Sequence, residues 1–238
     1  MTTNISYGHS DDVWQGLFET LLADLIEKYK IKRVCDIGGG ANPVINIEFI
    51  ESNGLDYSIL DISEPELLKA PSNYNKILAD IATPTFSINK KFDLVFSKFL
   101  AEHITDAKQF HKNILSCLDE SGLAVHFFPT FYTIPFLVNF LVPDKLAKAL
   151  LNIFHPRDMY QRNKFPAYYR WCRGPTRRQI QKFTDLGYEI IGYRGFFGHG
   201  YYNKIKPLQK LHELKTNYLL NHPNPNLTNF AYVILKKR

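Results

Sequence analysis

Val34-Cys35-Asp36-Ile37-Gly38-Gly39-Gly40-Ala41-Asn42-Pro43 is the stretch that decides the fold. An apolar run, Ile31–Ile37, meets three glycines and reads as a strand that stops at a tight loop. A helix from about residue 44 to 52 follows it. Glycine carries no Cβ, so a loop of this kind lets a ligand approach backbone N–H groups closely. Taken alone the pattern is shared by nucleotide-binding folds generally, and its surroundings narrow it.

The next strand, Leu55–Leu60, ends at Asp61, 21 residues after Gly40. An acidic side chain at that place can bond both hydroxyls of a ribose. A third strand, Asn75–Ala79, ends at Asp80, whose carboxylate can accept an adenine amino group while Ile81 packs on the ring. Strands Phe92–Ser97 and Leu123–Phe128 are apolar throughout apart from Asp93, the terminal Ser97 and His126, and flank a helix, Ile104–Leu118, and a turn at residues 119–122. His126, inside a strand, reads as a satisfied core residue.

Further on, a helix over Thr176–Leu186 stops at Gly187. Strand Tyr188–Tyr193, helix Lys206–Leu219 and strand Phe230–Leu235 complete the chain. Continuously apolar strands alternating with helices specify a mostly parallel sheet covered on both faces. The expected fold is therefore α/β: one Rossmann-like domain over residues 1–238, with seven strands. An amphipathic N-terminal helix, Asp11–Lys30, is expected ahead of it, capped by Ser10.

A dinucleotide-binding protein would compete for this reading. Its fingerprint needs Gly or Ala at the third glycine position, where a helix packs closely under a pyrophosphate. Counting from Gly38 puts Pro43 there, so the template fails. A ligand without phosphates needs no anion cradle, and Asp36 ahead of the loop suits a cationic one.

The ordered segments VCDIGGGANP, YSILDIS, ILADIATPTF and FDLVFSKFLAEHI resemble the motifs of class I S-adenosylmethionine-dependent methyltransferases, over about residues 30–128. The ubiquinone-type small-molecule members are the nearest in kind. The resemblance implies S-adenosyl-L-methionine as cofactor. Asp36, Gly38, Gly39 and Gly40 would flank its methionine part, Asp61 and Ile62 its ribose, and Asp80 and Ile81 its adenine. Ser97 and Lys98 would line the methyl-transfer face. The Glu102-His103 pair resembles a motif of small-molecule O-methyltransferases, which implies His103 as the catalytic base. Too few further carboxylates match for a metal site to be inferred. His199, in the glycine-rich stretch after strand Tyr188–Tyr193, is a second-choice base on the acceptor side.

Composition bounds the rest. Three cysteines (Cys35, Cys117, Cys172) without CxxC spacing fit a reducing compartment better than a disulfide or zinc framework. The first fourteen residues lack a signal peptide's basic and apolar regions, so a cytoplasmic protein is expected. The net charge of +6 divides into −7 over residues 1–120 and +13 over residues 121–238. That asymmetry points the second half toward something anionic, or toward a solvated basic face.

Residues 129–175 interrupt the rhythm and read as a substrate lid. They hold an apolar, proline-broken run, a helical segment Lys145–Phe154, and arginines interleaved with aromatics. Such a lid suits a small-molecule acceptor, anionic or lipid- or glycan-linked, with peripheral contact to the inner membrane face. Tyr168, Tyr169 and Arg173 are the expected acceptor contacts. Methylation of oxygen is favoured over nitrogen. The amino-methyltransferase signature of nucleic-acid enzymes is missing after strand Phe92–Ser97, where Ser97-Lys98-Phe99-Leu100 stands, so nucleic acid is a weak alternative. A non-catalytic cofactor-binding protein is the other.

Overall fold

The structure is a computed structural model that describes residues 4–131 and 166–238. Eight strands form one sheet: β1 (Ile5–His9), β2 (Arg33–Ile37), β3 (Asp56–Asp61), β4 (Asn75–Leu78), β5 (Phe92–Lys98), β6 (Leu118–Pro129), β7 (Tyr188–Phe197) and β8 (Phe230–Lys237). Their order is β1-β7-β8-β6-β5-β2-β3-β4. Every neighbouring pair is parallel except those made by β8, which runs antiparallel to both β6 and β7.

Helices α1 (Leu17–Tyr29), α2 (Ile47–Asn53), α3 (Glu64–Lys69), α4 (Ala107–Cys117), α5 (Arg177–Leu186) and α6 (Lys206–Asn221) cover the sheet. Successive residues of the central strands are buried on opposite faces, so both need a cover. Val34, Ile59 and Phe96 pack with Phe18 and Leu22 of α1. Cys35, Leu60 and Val95 pack with Phe110 and Ile114 of α4 and Phe183 of α5. The caps follow the sequence: Asn46, Asp106 and Thr176 accept backbone N–H groups in the first turns of α2, α4 and α5, and Gly187 ends α5 at φ 110°.

Three expectations are corrected. The sheet has eight strands rather than seven: β1 adds to the outer edge of β7, in register from Ile5↔Tyr193 to His9↔Phe197. The N-terminal helix is broken. Residues Ser10–Gln15 form a 3₁₀ turn, and Gly16 at φ 79° separates it from α1. A left-handed residue cannot continue an α-helix, so Ser10 caps nothing in α1. The turn at residues 119–122 is absorbed into β6 as an irregularity opposite Phe92, with Ser121 at φ 61°. The helix expected over Lys145–Phe154, and most of the lid, lie outside the described residues.

Candidate active site

Strand β2 stands between β3 and β5, and the chain leaves it toward β3 and β4 before crossing back to β5. The crevice beyond the carboxyl ends at such a reversal is where open α/β sheets bind ligands. The loop after β2 is shaped for it. Gly38 and Gly40 have φ of 77° and 42°, which a side chain would strain. Gly39 is required for space: a Cβ there would sit 2.8 Å from the Asp36 carboxyl. At Gly40 a Cβ would meet Asp61 Oδ2 at 3.0 Å. The loop is a cradle that side chains would fill, bordered by carboxylates instead of cations, as a cationic ligand without phosphates demands.

The acidic residues divide by burial. Asp36 is 1% exposed. Its Oδ2 accepts from Val44 N at 3.0 Å and from the Tyr57 hydroxyl at 2.7 Å, and burial pushes its pKa up to about 6 against those two bonds. It braces the glycine loop from beneath. Asp61 is half-buried at the end of β3; Oδ1 accepts from Ser63 N at 2.8 Å and Oδ2 lies over Gly40. Burial raises its pKa. Asp80 turns its own loop, accepting from Ala82 N at 2.8 Å. Its neighbour Ile81 belongs to the core at 5% exposure, while Ile62 beside Asp61 is 64% exposed. Ile62 is thus the better placed of the two to cover a planar ring.

On the β5 side the expectations separate. Ser97 is fully buried and its hydroxyl pairs with His126 Nδ1 at 2.8 Å, leaving it only backbone to offer a ligand. His126 is only half satisfied among the described residues, where its Nε2 has no partner. Lys98 Nζ donates to Glu19 Oε1 at 2.5 Å, tying the end of β5 to α1. Phe99 adopts φ 56°, and Trp14, 64% exposed, stacks on it at 5.8 Å between centroids. Sequence reasoning missed Trp14 and Glu19; nothing local marks them, because their partners lie far along the chain.

Residues Ala101–His103 form a 3₁₀ turn. His103 Nδ1 lies 2.8 Å from the Pro166 carbonyl. A carbonyl only accepts, so Nδ1 carries a proton, and in the neutral ring the lone pair is on Nε2. Glu102 is 5% exposed, with Oε1 3.8 Å from His103 Nε2. Its Oε2 has no hydrogen-bond partner among the described residues, and burial pushes its pKa up to about 8. The Glu102 carbonyl accepts from Tyr168 N at 2.6 Å and Tyr169 N at 3.0 Å. The limb that returns from the lid is thereby fastened to the Glu-His turn.

Of the expected acceptor contacts, Tyr168 is 38% exposed and stands by this turn. Tyr169 is buried in the core, with φ 50°. Arg173 Nη1 donates to the carbonyls of Tyr169 and Cys172 at 2.9 Å each, and its guanidinium lies over the Phe131 ring. It holds the limb's shape.

His199 is corrected as a candidate base. It is 7% exposed and stacks on His212 at 3.9 Å, and its Nδ1 accepts from Tyr201 N. Burial pushes its pKa down to about 3. It also follows β7, three strand spacings or about 14 Å from β5.

The comparisons agree with this fold. Residues 35–126 match the profile of a family described as a methyltransferase domain. No curated protein is similar enough to the chain to count as a match. Solved structures share the fold at low identity. An S-adenosylmethionine-dependent methyltransferase from Clostridium acetobutylicum has a TM-score of 0.55 at 13% identity, covering 92% of this chain and 89% of its own. The N-methyltransferase NodS from Bradyrhizobium japonicum, bound to S-adenosyl-l-homocysteine, has 0.52 at 11%, covering 93% and 86%. The O-methyltransferase domain of StiE has 0.53 at 15%, covering 92% and 74%. The fold, and the domain matched over residues 35–126, are those of S-adenosylmethionine-dependent methyltransferases.

Proposed function

We propose that the protein methylates a small molecule, on oxygen in preference to nitrogen, with His103 as the base. The carrying observation is the bond between His103 Nδ1 and the Pro166 carbonyl, which in the neutral ring assigns the lone pair to Nε2. S-adenosyl-L-methionine supplies an electrophilic methyl group. Asp61 and the loop at Gly38–Gly40 would hold it, with Asp80 and Ile62 at the adenine end and Asp36 supporting the loop. His103 Nε2 takes the acceptor hydroxyl's proton as the oxygen attacks, and the limb from Pro166 to Arg173 fixes the ring that does so.

Residues 129–175 act as the acceptor lid, with Tyr168 and Arg173 as acceptor contacts. A protein that works in the cytoplasm and meets the inner face of a membrane fits this reading. Among the described residues no helix is long and apolar enough to cross one.

The test is a pair of labelled-methyl assays, on phenolic and aliphatic hydroxyl acceptors and on primary amines, with wild type and His103→Ala. Turnover on a hydroxyl acceptor should fall by about 10²-fold or more in the variant, with S-adenosylhomocysteine affinity unchanged. Turnover confined to amines and indifferent to His103 would refute the reading.

A further inference from the structure

Helix α6 is built inside out. It lies across β1 and β7, and the side chains it buries are His212, Thr216 and Leu219. Its apolar residues point the other way. Leu211, Leu214 and Tyr218 are 64%, 61% and 62% exposed, and Leu208 is 37% exposed. They recur in steps of three and four, which on a helix aligns them along one outward stripe. A lone exposed leucine needs no explanation, but a row of them on the solvent side of a helix whose inner face is half polar does.

The charges say what the stripe fits. The segment from Lys204 to Asn221 holds four lysines and one acid, Glu213. Lys210 and Lys215 lie on the two flanks of the stripe, whereas Glu213, two positions on from Leu211, lies about 200° round the helix. Three partners could cover such a face: a second copy of this chain, an apolar protein, or an anionic lipid surface. Two copies meeting through α6 would set lysine against lysine, and one stripe is too narrow for a stable interface of about 1,600 Å² in total. A bilayer carrying anionic headgroups takes the leucines into its acyl boundary and pairs the lysines at once.

We infer that the outward face of α6, through Leu211, Leu214 and Tyr218 with Lys210 and Lys215, seats the protein on an anionic membrane surface. The inference stands apart from the catalytic reading because it is read by binding alone.

The test is co-sedimentation of the full chain with vesicles of phosphatidylcholine, or of phosphatidylcholine with about 30% phosphatidylglycerol. Wild type should bind the anionic vesicles, and binding should weaken in high salt. The triple variant Leu211→Ser, Leu214→Ser, Tyr218→Ser should bind at least about tenfold more weakly. Lys210→Gln with Lys215→Gln should weaken it several-fold. All three sites are exposed, and an unchanged melting temperature and S-adenosylhomocysteine affinity would confirm that each variant is folded. Failure of the wild type to bind overturns the inference. So does undiminished binding by the folded triple variant, which would transfer the contact to another surface. Sedimentation as a dimer that the triple variant dissolves would give the stripe to a second copy instead.

Discussion

Asp36 and Glu102 are both buried carboxyls, one on each side of the switch point, and they are treated differently. Asp36 lies beneath the cofactor loop with two donors on one oxygen, and its pKa rises only to about 6. Glu102 lies past β5, on the side proposed for the acceptor, where Oε2 has no partner among the described residues and the pKa rises to about 8. On the cofactor side the protein supplies its own donors and so presets the geometry. On the acceptor side it leaves a carboxyl undersatisfied. Strained or unsatisfied groups of this kind collect where a ligand or a proton is handled.

That contrast can be broken by pH. The folded state holds a proton on Glu102 that the unfolded chain releases above about 4.5. Its share of stability is therefore full below pH 4.5, declines as pH rises, and is gone above about 8. The span corresponds to about 4–5 kcal/mol. Glu102→Gln should remove this dependence, matching wild type near pH 5 and exceeding it by several kcal/mol at pH 9, as chemical denaturation at the two pH values would show. Equal stabilities at pH 9 would mean that Glu102 is solvated or paired after all.

Asp36 predicts the same sign and a smaller size. Its folded pKa of about 6 exceeds the ordinary 3.8, so stability falls between those values as pH rises, by about 3 kcal/mol. Asparagine can still accept from Val44 N and Tyr57. Asp36→Asn should thus be more stable than wild type at pH 7.5 by about 2–3 kcal/mol, with weaker S-adenosylhomocysteine binding in calorimetry. A gain in stability without any loss of affinity would make the carboxylate a brace alone. At Asp61 the loss falls on the ligand. Asp61→Ala should weaken S-adenosylhomocysteine by roughly 10- to 100-fold, as one charge-assisted bond to a hydroxyl pair is worth, with little change in melting temperature.

The same contrast explains what the sequence could disclose. Each feature of the cofactor side is local: Asp61 bonds Ser63, Asp80 bonds Ala82, and the glycines act through their own backbone. Chain order and spacing therefore carried the strands, the loop and the aspartates. The acceptor side is assembled across the chain. Tyr168 N reaches Glu102, Pro166 meets His103, and Lys98 pairs with Glu19, all more than sixty residues apart. No spacing rule encodes such bonds, which is why Ser97 and His199 were plausible by position and then proved committed elsewhere. The missed strand β1 had only the alternation of Ile5, Tyr7 and His9 to mark it, and its partner β7 lies at the other end of the chain.

Trp14 offers the finest test of that division. Its indole is 64% exposed, lies on Phe99 just past the end of β5, and meets Phe230 edge-on at 5.9 Å. An exposed tryptophan contributes little to the core, so Trp14→Ala should lower stability by about 1 kcal/mol or less beyond the lost ring contacts. If the ring is a platform for the acceptor, the Michaelis constant for that acceptor should rise by about 3- to 10-fold, as one stacking contact is worth, while affinity for S-adenosylhomocysteine holds. If the ring instead covers the cofactor, the two effects should exchange places. Steady-state kinetics in acceptor beside calorimetry on the cofactor product separates the cases, and it does so at a residue whose only link to the site runs through the folded chain.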